Sequence, residues 1–171
     1  MASNLLITID DIREYRPVSS LDAKRIDPYI LEAQENDLRP VLGDALYFDF
    51  LTNIDTTKYR DLLNGKNYII NSNYVEFPGI KPMLCYYSLA RIVVNNPLNI
   101  TSYGVVQKTV NESQPVDAAM LGKLVTELRS VALSYQNRLK DFLLNNMTTY
   151  TLYNSRTTSE TNSTGFSFFS A

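Results

Sequence analysis

Polar positions almost vanish between Met83 and Val94. Only Ser88 and Arg91 interrupt the run of Met83, Leu84, Cys85, Tyr86, Tyr87, Leu89, Ala90, Ile92, Val93 and Val94. A helix apolar around nearly its whole circumference has to be enclosed by other elements. Pro82 suits its first turn, where a missing N–H costs nothing, and Asn95-Asn96-Pro97 ends it. From Asp117 to about Asn146 the apolar residues fall at Leu121, Leu124, Leu128, Val131, Tyr135, Leu139 and Phe142. Gaps of three and four put them on one stripe of a helix about 45 Å long, with Asp117 as candidate N-cap.

The remaining stretches have to supply partners for these two helices. Leu5–Ile9 is a short β-like run, and Asp10-Asp11-Ile12-Arg13 starts a turn or helical piece. Arg16-Pro17-Val18-Ser19-Ser20 reads as extended linker, because proline pushes the preceding residue out of the α region. Asp27-Pro28 signals a helix start, followed by Ile30, Ala33 and Leu38 at helical spacing. Pro40 breaks that helix, and Val41 to about Asn53 forms a second one. Thr56 or Thr57 begins a short helix that Asn64-Gly65 closes. Tyr68-Ile69-Ile70 and Tyr74-Val75-Glu76-Phe77 around Asn71-Ser72-Asn73 predict a β-hairpin. Ile100–Pro115 is β-branched and without helix signals, hence an extended arm, bounded at about 98–116. From Met147 the composition turns to Ser and Thr, which cannot nucleate a core, although Tyr150, Tyr153, Phe166, Phe168 and Phe169 punctuate it. The expected architecture is mainly α: a helical bundle at 1–146 with a long C-terminal helix, a small β-hairpin and the arm, then a C-terminal extension at 147–171.

Composition narrows the chemistry. With 171 residues, one domain is the expectation, and a single cysteine excludes an internal disulfide framework. No histidine is present, which removes the commonest general base and metal ligand. Cys85 lies in the most apolar helix, where a thiol behaves as a small hydrophobe. Asp10-Asp11, and Asp44 with Asp49, are spaced for solvation or capping and not as a carboxylate pair, and no glycine-rich phosphate loop occurs. No catalytic, cofactor-binding or metal-binding residue is assigned, no cofactor is expected, and the chain is not expected to be an enzyme.

The longest uncharged apolar segment falls short of the roughly 20 residues a bilayer span needs, and no signal peptide is read at Leu5–Ile9. Net charge is −2: residues 1–80 carry 8 Lys/Arg against 13 Asp/Glu, residues 81–171 carry 8 against 5. An acidic half and a mildly basic half allow contacts of opposite sign. No basic helix or finger motif supports base readout, and Lys108 is the only cation in the arm. Twelve tyrosines and seven phenylalanines without tryptophan suit half-buried packing or interface contacts.

Several strings together resemble a known family. They are Ile9-Asp10-Asp11-Ile12-Arg13-Glu14-Tyr15-Arg16-Pro17, Ile26-Asp27-Pro28-Tyr29-Ile30-Leu31-Glu32-Ala33-Gln34 and Leu42-Gly43-Asp44-Ala45-Leu46-Tyr47. Phe77-Pro78-Gly79-Ile80-Lys81-Pro82 and Tyr103-Gly104-Val105-Val106-Gln107-Lys108, running on to Ser113-Gln114-Pro115, complete the set. In that order, over roughly residues 5–146, the chain resembles the head–tail connector (adaptor ring) proteins of tailed bacteriophages, of the crAss-like and Bacteroidetes-phage type. The resemblance implies a structural subunit, repeated typically twelve times in a ring beneath the portal. Such a ring extends the DNA channel and docks the next tail component. The implied partners are copies of the chain, the portal protein and other connector or tail rings. Double-stranded DNA would pass through without sequence readout, and no membrane is involved. The implied location is the head–tail junction of the virion, after assembly in the host cytoplasm, with a part in genome ejection. On this reading the arm and the tail hold neighbours, with Tyr103, Val105, Val106, Lys108, Tyr150, Tyr153, Phe166, Phe168 and Phe169 as inter-subunit contacts. The alternative is a soluble helical protein-binding module or assembly factor.

Overall fold

The computed structural model describes residues 5–16, 23–70, 72–95, 98–101, 104–107 and 118–153. The fold is mainly α, built on two antiparallel helices, α6 (Lys81–Asn95) and α7 (Ala118–Asn145). In front of them run α1 (Ile9–Tyr15), α2 (Ala23–Ala33), α3 (Arg39–Leu42), α4 (Asp44–Thr52), α5 (Thr57–Asn64) and a hairpin of β1 (Lys66–Ile70) and β2 (Asn73–Phe77). A second hairpin, β3 (Leu98–Thr101) with β4 (Gly104–Gln107), lies between α6 and α7.

Helix α6 is the enclosed element its sequence demands. Met83, Leu84, Cys85, Ser88, Leu89, Ala90 and Ile92 are all buried, and α1, α2 and α7 pack around it. Enclosure fades toward its end, where Val94 is exposed. Helix α7 matches the predicted span, but only part of its stripe is covered: Leu128, Ala132, Leu139, Phe142 and Leu143 are buried, whereas Leu124 is exposed. The reason is length. At 1.5 Å per residue the 15 residues of α6 span about 22 Å and the 28 of α7 about 42 Å. Tyr86 stacks on Tyr135 at 5.9 Å and Phe77, just before α6, on Phe142 at 4.1 Å. That antiparallel register sets Asn95 opposite about residue 125, so α7 upstream of there outruns its partner.

Three local expectations are corrected. Leu5–Ile9 is not a strand: Thr8 caps α1, accepting from the Asp11 N–H while Asp11 accepts from the Thr8 N–H. The Thr8-x-x-Asp11 spacing is the sequence signal for it. Asp27-Pro28 does not start a helix, since α2 begins at Ala23 and carries Pro28 inside. Nor does Pro40 end one. A π-helical turn, Gln34–Leu38, joins α2 to α3, and the path breaks only at Gly43, whose φ of 74° ends α3. The wider turn carries the chain past a residue without an N–H. It also aims Gln34 inward, where its Oε1 accepts from the Leu6 N–H at 2.8 Å and ties the N-terminal segment to the body.

The α5–hairpin–α6 junction is fixed by two glycines at positive φ, Gly65 (100°) and Gly79 (86°). A Cβ on Gly65 would sit 2.5 Å from the Phe77 carbonyl oxygen, and one on Gly79 2.4 Å from that of Leu63. The closeness lets the Ile80 N–H bond the last carbonyls of α5, those of Leu62 and Leu63, each at 3.1 Å. The hairpin itself forms where predicted, with Ser72 in the left-handed region at the turn. Its base is thereby held against the start of α6, and Arg138 on α7 donates to the Glu76 carbonyl at 3.2 Å.

Candidate interaction surfaces

The two tyrosines expected to reach other subunits are instead built into their own. The chain after α7 turns back through residues 147–153, and Tyr150 and Tyr153 are buried in the hydrophobic core. Tyr150 is 2 % exposed, its ring lies against Phe142 (5.6 Å) and Tyr59 (6.4 Å), and its hydroxyl donates to the Lys58 carbonyl at 2.9 Å. The apolar floor laid by Phe77, Phe142 and Tyr59 outweighs the polar Ser/Thr context from which the extension was read. The body therefore runs through Tyr153 and not to Asn146. Val105 and Val106 fall on strand β4, so the part of the arm within the described residues, expected as one extended segment, is two antiparallel strands, 98–101 and 104–107, with Ile100 opposite Val105. Tyr103, Lys108, Phe166, Phe168 and Phe169 lie outside the described residues.

Ionisable groups in the body serve structure. Arg91, on the buried helix, pairs with Asp37 at 2.6 Å, and both side chains are largely covered. Arg39 bridges Glu35 (2.9 Å) and Asp44 (2.8 Å) across the break at Gly43. Tyr47 donates to Glu35 at 2.8 Å, and burial together with that bond pushes its phenol up to about 12. Tyr59 donates to Asp49, and burial with that carboxylate raises its phenol as well. Burial works against an ionised Asp11, but bonds from Lys81 and Thr8 outweigh it and hold the carboxyl below its usual range. Cys85 is buried, and desolvation, helped by Asp11, pushes its thiol up to about 12. Such a thiol is not a nucleophile near neutral pH. Among the described residues no three His, Cys, Asp or Glu side chains gather closely enough to hold a metal ion, and no helix is long and apolar enough to cross a membrane.

What the described surface does offer is apolar. The hairpin alternates cleanly: Tyr68, Val75 and Phe77 turn toward the body, while Asn67, Ile69, Tyr74 and Glu76 turn outward. Ile69 and Tyr74 stand directly opposite each other, 62 % and 83 % exposed. A second exposed region is the start of α7, where no residue from 118 to 124 is buried and Met120 is 67 % exposed, before Val125 packs on the core. Isolated exposed hydrophobics are ordinary; Ile69 and Tyr74 differ in forming a cross-strand pair on the otherwise polar outer face of the hairpin. Sequence reading missed this pair because it assigned contacts to the arm and the tail. The consecutive apolar residues Tyr68-Ile69-Ile70 and Tyr74-Val75 were the available signal, since neighbours on a strand point to opposite faces.

Helices wrapped around one buried helix, with paired charges at its periphery, define a mainly α fold. The chain belongs to DUF6712, a family of unknown function, which matches residues 38–163. Neither a curated protein nor a solved structure matches it.

Proposed function

We propose that this chain is a structural subunit of a phage head–tail connector ring that extends the portal's DNA channel and docks the next tail component. The observation that carries the reading is the mismatch of α6 and α7. About 10 Å of rigid helix (residues 118–124) runs beyond the point where Val125 packs on the core and Glu127 pairs with Arg16. A long helix fixes a radial position, and projecting elements give neighbours something to hold. The family-like strings Ile9–Pro17, Leu42–Tyr47, Phe77–Pro82 and Tyr103–Lys108 support the same reading from the sequence. A formal charge of −2 suits a channel wall past which DNA slides, since every phosphate contact would add affinity and slow transit. Portal protein, further connector rings and double-stranded DNA are the partners on this reading.

The test is negative-stain microscopy of the purified chain, alone and mixed with its portal protein. Closed rings, or rings that appear on adding portal, are the expected images. Scattered single subunits under both conditions would favour a helical binding module instead.

A further inference from the structure

We infer that the outward face of α7 pairs antiparallel with the same face of a second copy of this chain, joining two subunits about a two-fold axis. An isologous pair of this kind is closed and leaves other surfaces free, so the inference goes beyond the ring reading and stands or falls separately from it.

Helix α7 carries two stripes. One, through Leu128, Leu139 and Phe142, is buried against the body. Opposite it, Ala119, Thr126, Ser130, Leu133, Asn137 and Leu144 are all exposed, and gaps of three, four and seven keep them on one line about 37 Å long. Leu133 and Leu144 are 48 % and 46 % exposed, while Ala119 and Ser130 on the same line are small. Gly122 flanks the line in mid-helix. Its own helix backbone aside, no atom of the described subunit lies within 4 Å of where its Cβ would sit. Glycine weakens a helix interior, and no neighbour within the described subunit calls for it, whereas small side chains let a second helix come close.

The outward stripe is complementary to itself. With Ser130 set opposite Leu133 of an antiparallel copy, Thr126 falls opposite Asn137 and Ala119 opposite Leu144, each pairing occurring twice. Both leucines thereby meet small residues, and a hydroxyl meets an amide. The charges obey the same register. Lys123 and Asp141 are 18 residues apart, five full turns, and so lie on one edge of the stripe. A two-fold axis perpendicular to both helices keeps each edge on its own side, which brings Lys123 of each copy beside Asp141 of the other. Both side chains are exposed, and neither has an ion-pair partner among the described residues. A parallel pair would bring unlike edges together and leave Lys123 without a carboxylate, so charge selects the antiparallel arrangement.

The test uses the full chain and a reversal of charge. Light scattering of the parent without portal should give twice the chain mass. Lys123→Glu and Asp141→Lys each set like charges against each other twice, so each should weaken the dimer at least tenfold while helical circular dichroism stays that of the parent. Mixing the two variants in equal amounts, or combining both changes in one chain, restores opposite charges in both contacts and should restore the dimer. In parallel, a Thr126→Cys copy mixed with an Asn137→Cys copy should give a disulfide-linked dimer on oxidation that neither forms alone. Buried Cys85 does not compete. A dimer or ring that survives both single variants would overturn the inference, and so would variants that mixing fails to rescue. A Thr126→Cys copy that links to itself would overturn it too, because the helices would then run parallel. A parent that is monomeric alone and forms rings with portal would overturn the inference and leave the ring reading standing. A dimer that passes the charge reversal yet never grows with portal would overturn the ring reading alone.

Discussion

Replacing Tyr150 by alanine tests whether the chain beyond α7 is core or appendage. The side chain is 2 % exposed and packed against the Phe142 and Tyr59 rings, and its hydroxyl bonds the Lys58 carbonyl at 2.9 Å. Truncating a buried aromatic to alanine costs about 3–5 kcal/mol, from lost transfer free energy plus the cavity left behind. For a chain of this length each kcal/mol lowers Tm by about 2–4 °C, so the loss should be roughly 6–20 °C. Tyr150→Phe removes only the hydroxyl bond and should cost about 1 kcal/mol, or roughly 2–4 °C. Thermal melts followed at 222 nm separate the two variants. Truncations sharpen the comparison: a chain ending at Thr149, which lacks both buried tyrosines, should melt below one ending after Tyr153 by at least as much as Tyr150→Ala melts below the parent. A Tyr150→Ala protein melting within about 3 °C of the parent would show that residues 147–153 add nothing to the core, and the reasoning would fail.

Other consequences follow from the same packing. Arg91→Met strands Asp37 in a largely covered site and should cost about 3–5 kcal/mol in urea unfolding, most of it regained in Arg91→Met/Asp37→Asn. Additive single costs in that cycle would mean the two charges are not coupled. Gly79→Ala drives a Cβ to 2.4 Å from the Leu63 carbonyl at a positive φ, so the chain should melt lower than the parent by several degrees, and an unchanged Tm would contradict the tight junction. Alkaline pH should destabilise the fold. Tyr47, Tyr59 and Tyr150 hold their protons more tightly folded than unfolded, through burial first and, for Tyr47 and Tyr59, a carboxylate partner. Their contribution is complete below about pH 10 and is lost as pH climbs through about 12, where Tyr47 titrates. Denaturant midpoints independent of pH between 9 and 12 would refute this.

Periodicity made α6, α7 and the first hairpin legible because their patterns are long and the competing signals few. Ten apolar residues in the twelve positions from Met83 to Val94 admit only an enclosed helix, and the glycines at 65 and 79 punctuate where the chain must turn. Proline was the misleading cue. Pro28 sits within α2 and Pro40 is reached through a π turn, because packing of Ile26, Ile30, Ala33 and Leu38 outweighs the local loss of a backbone bond. Tyr150 and Tyr153 were hidden by their Ser/Thr neighbours, since composition averages over a window while burial selects single side chains. The exposed Ile69–Tyr74 pair was foreshadowed by consecutive apolar residues, which put apolar side chains on both faces of the hairpin, but which face stays open depends on where α7 lies.

The central claim is that this subunit works by assembling with copies of itself around a portal. Light scattering of the purified chain, titrated with portal protein, measures that directly through mass. A ring-sized species, formed alone or on adding portal, is the predicted result; a monomer whose mass never changes would contradict it.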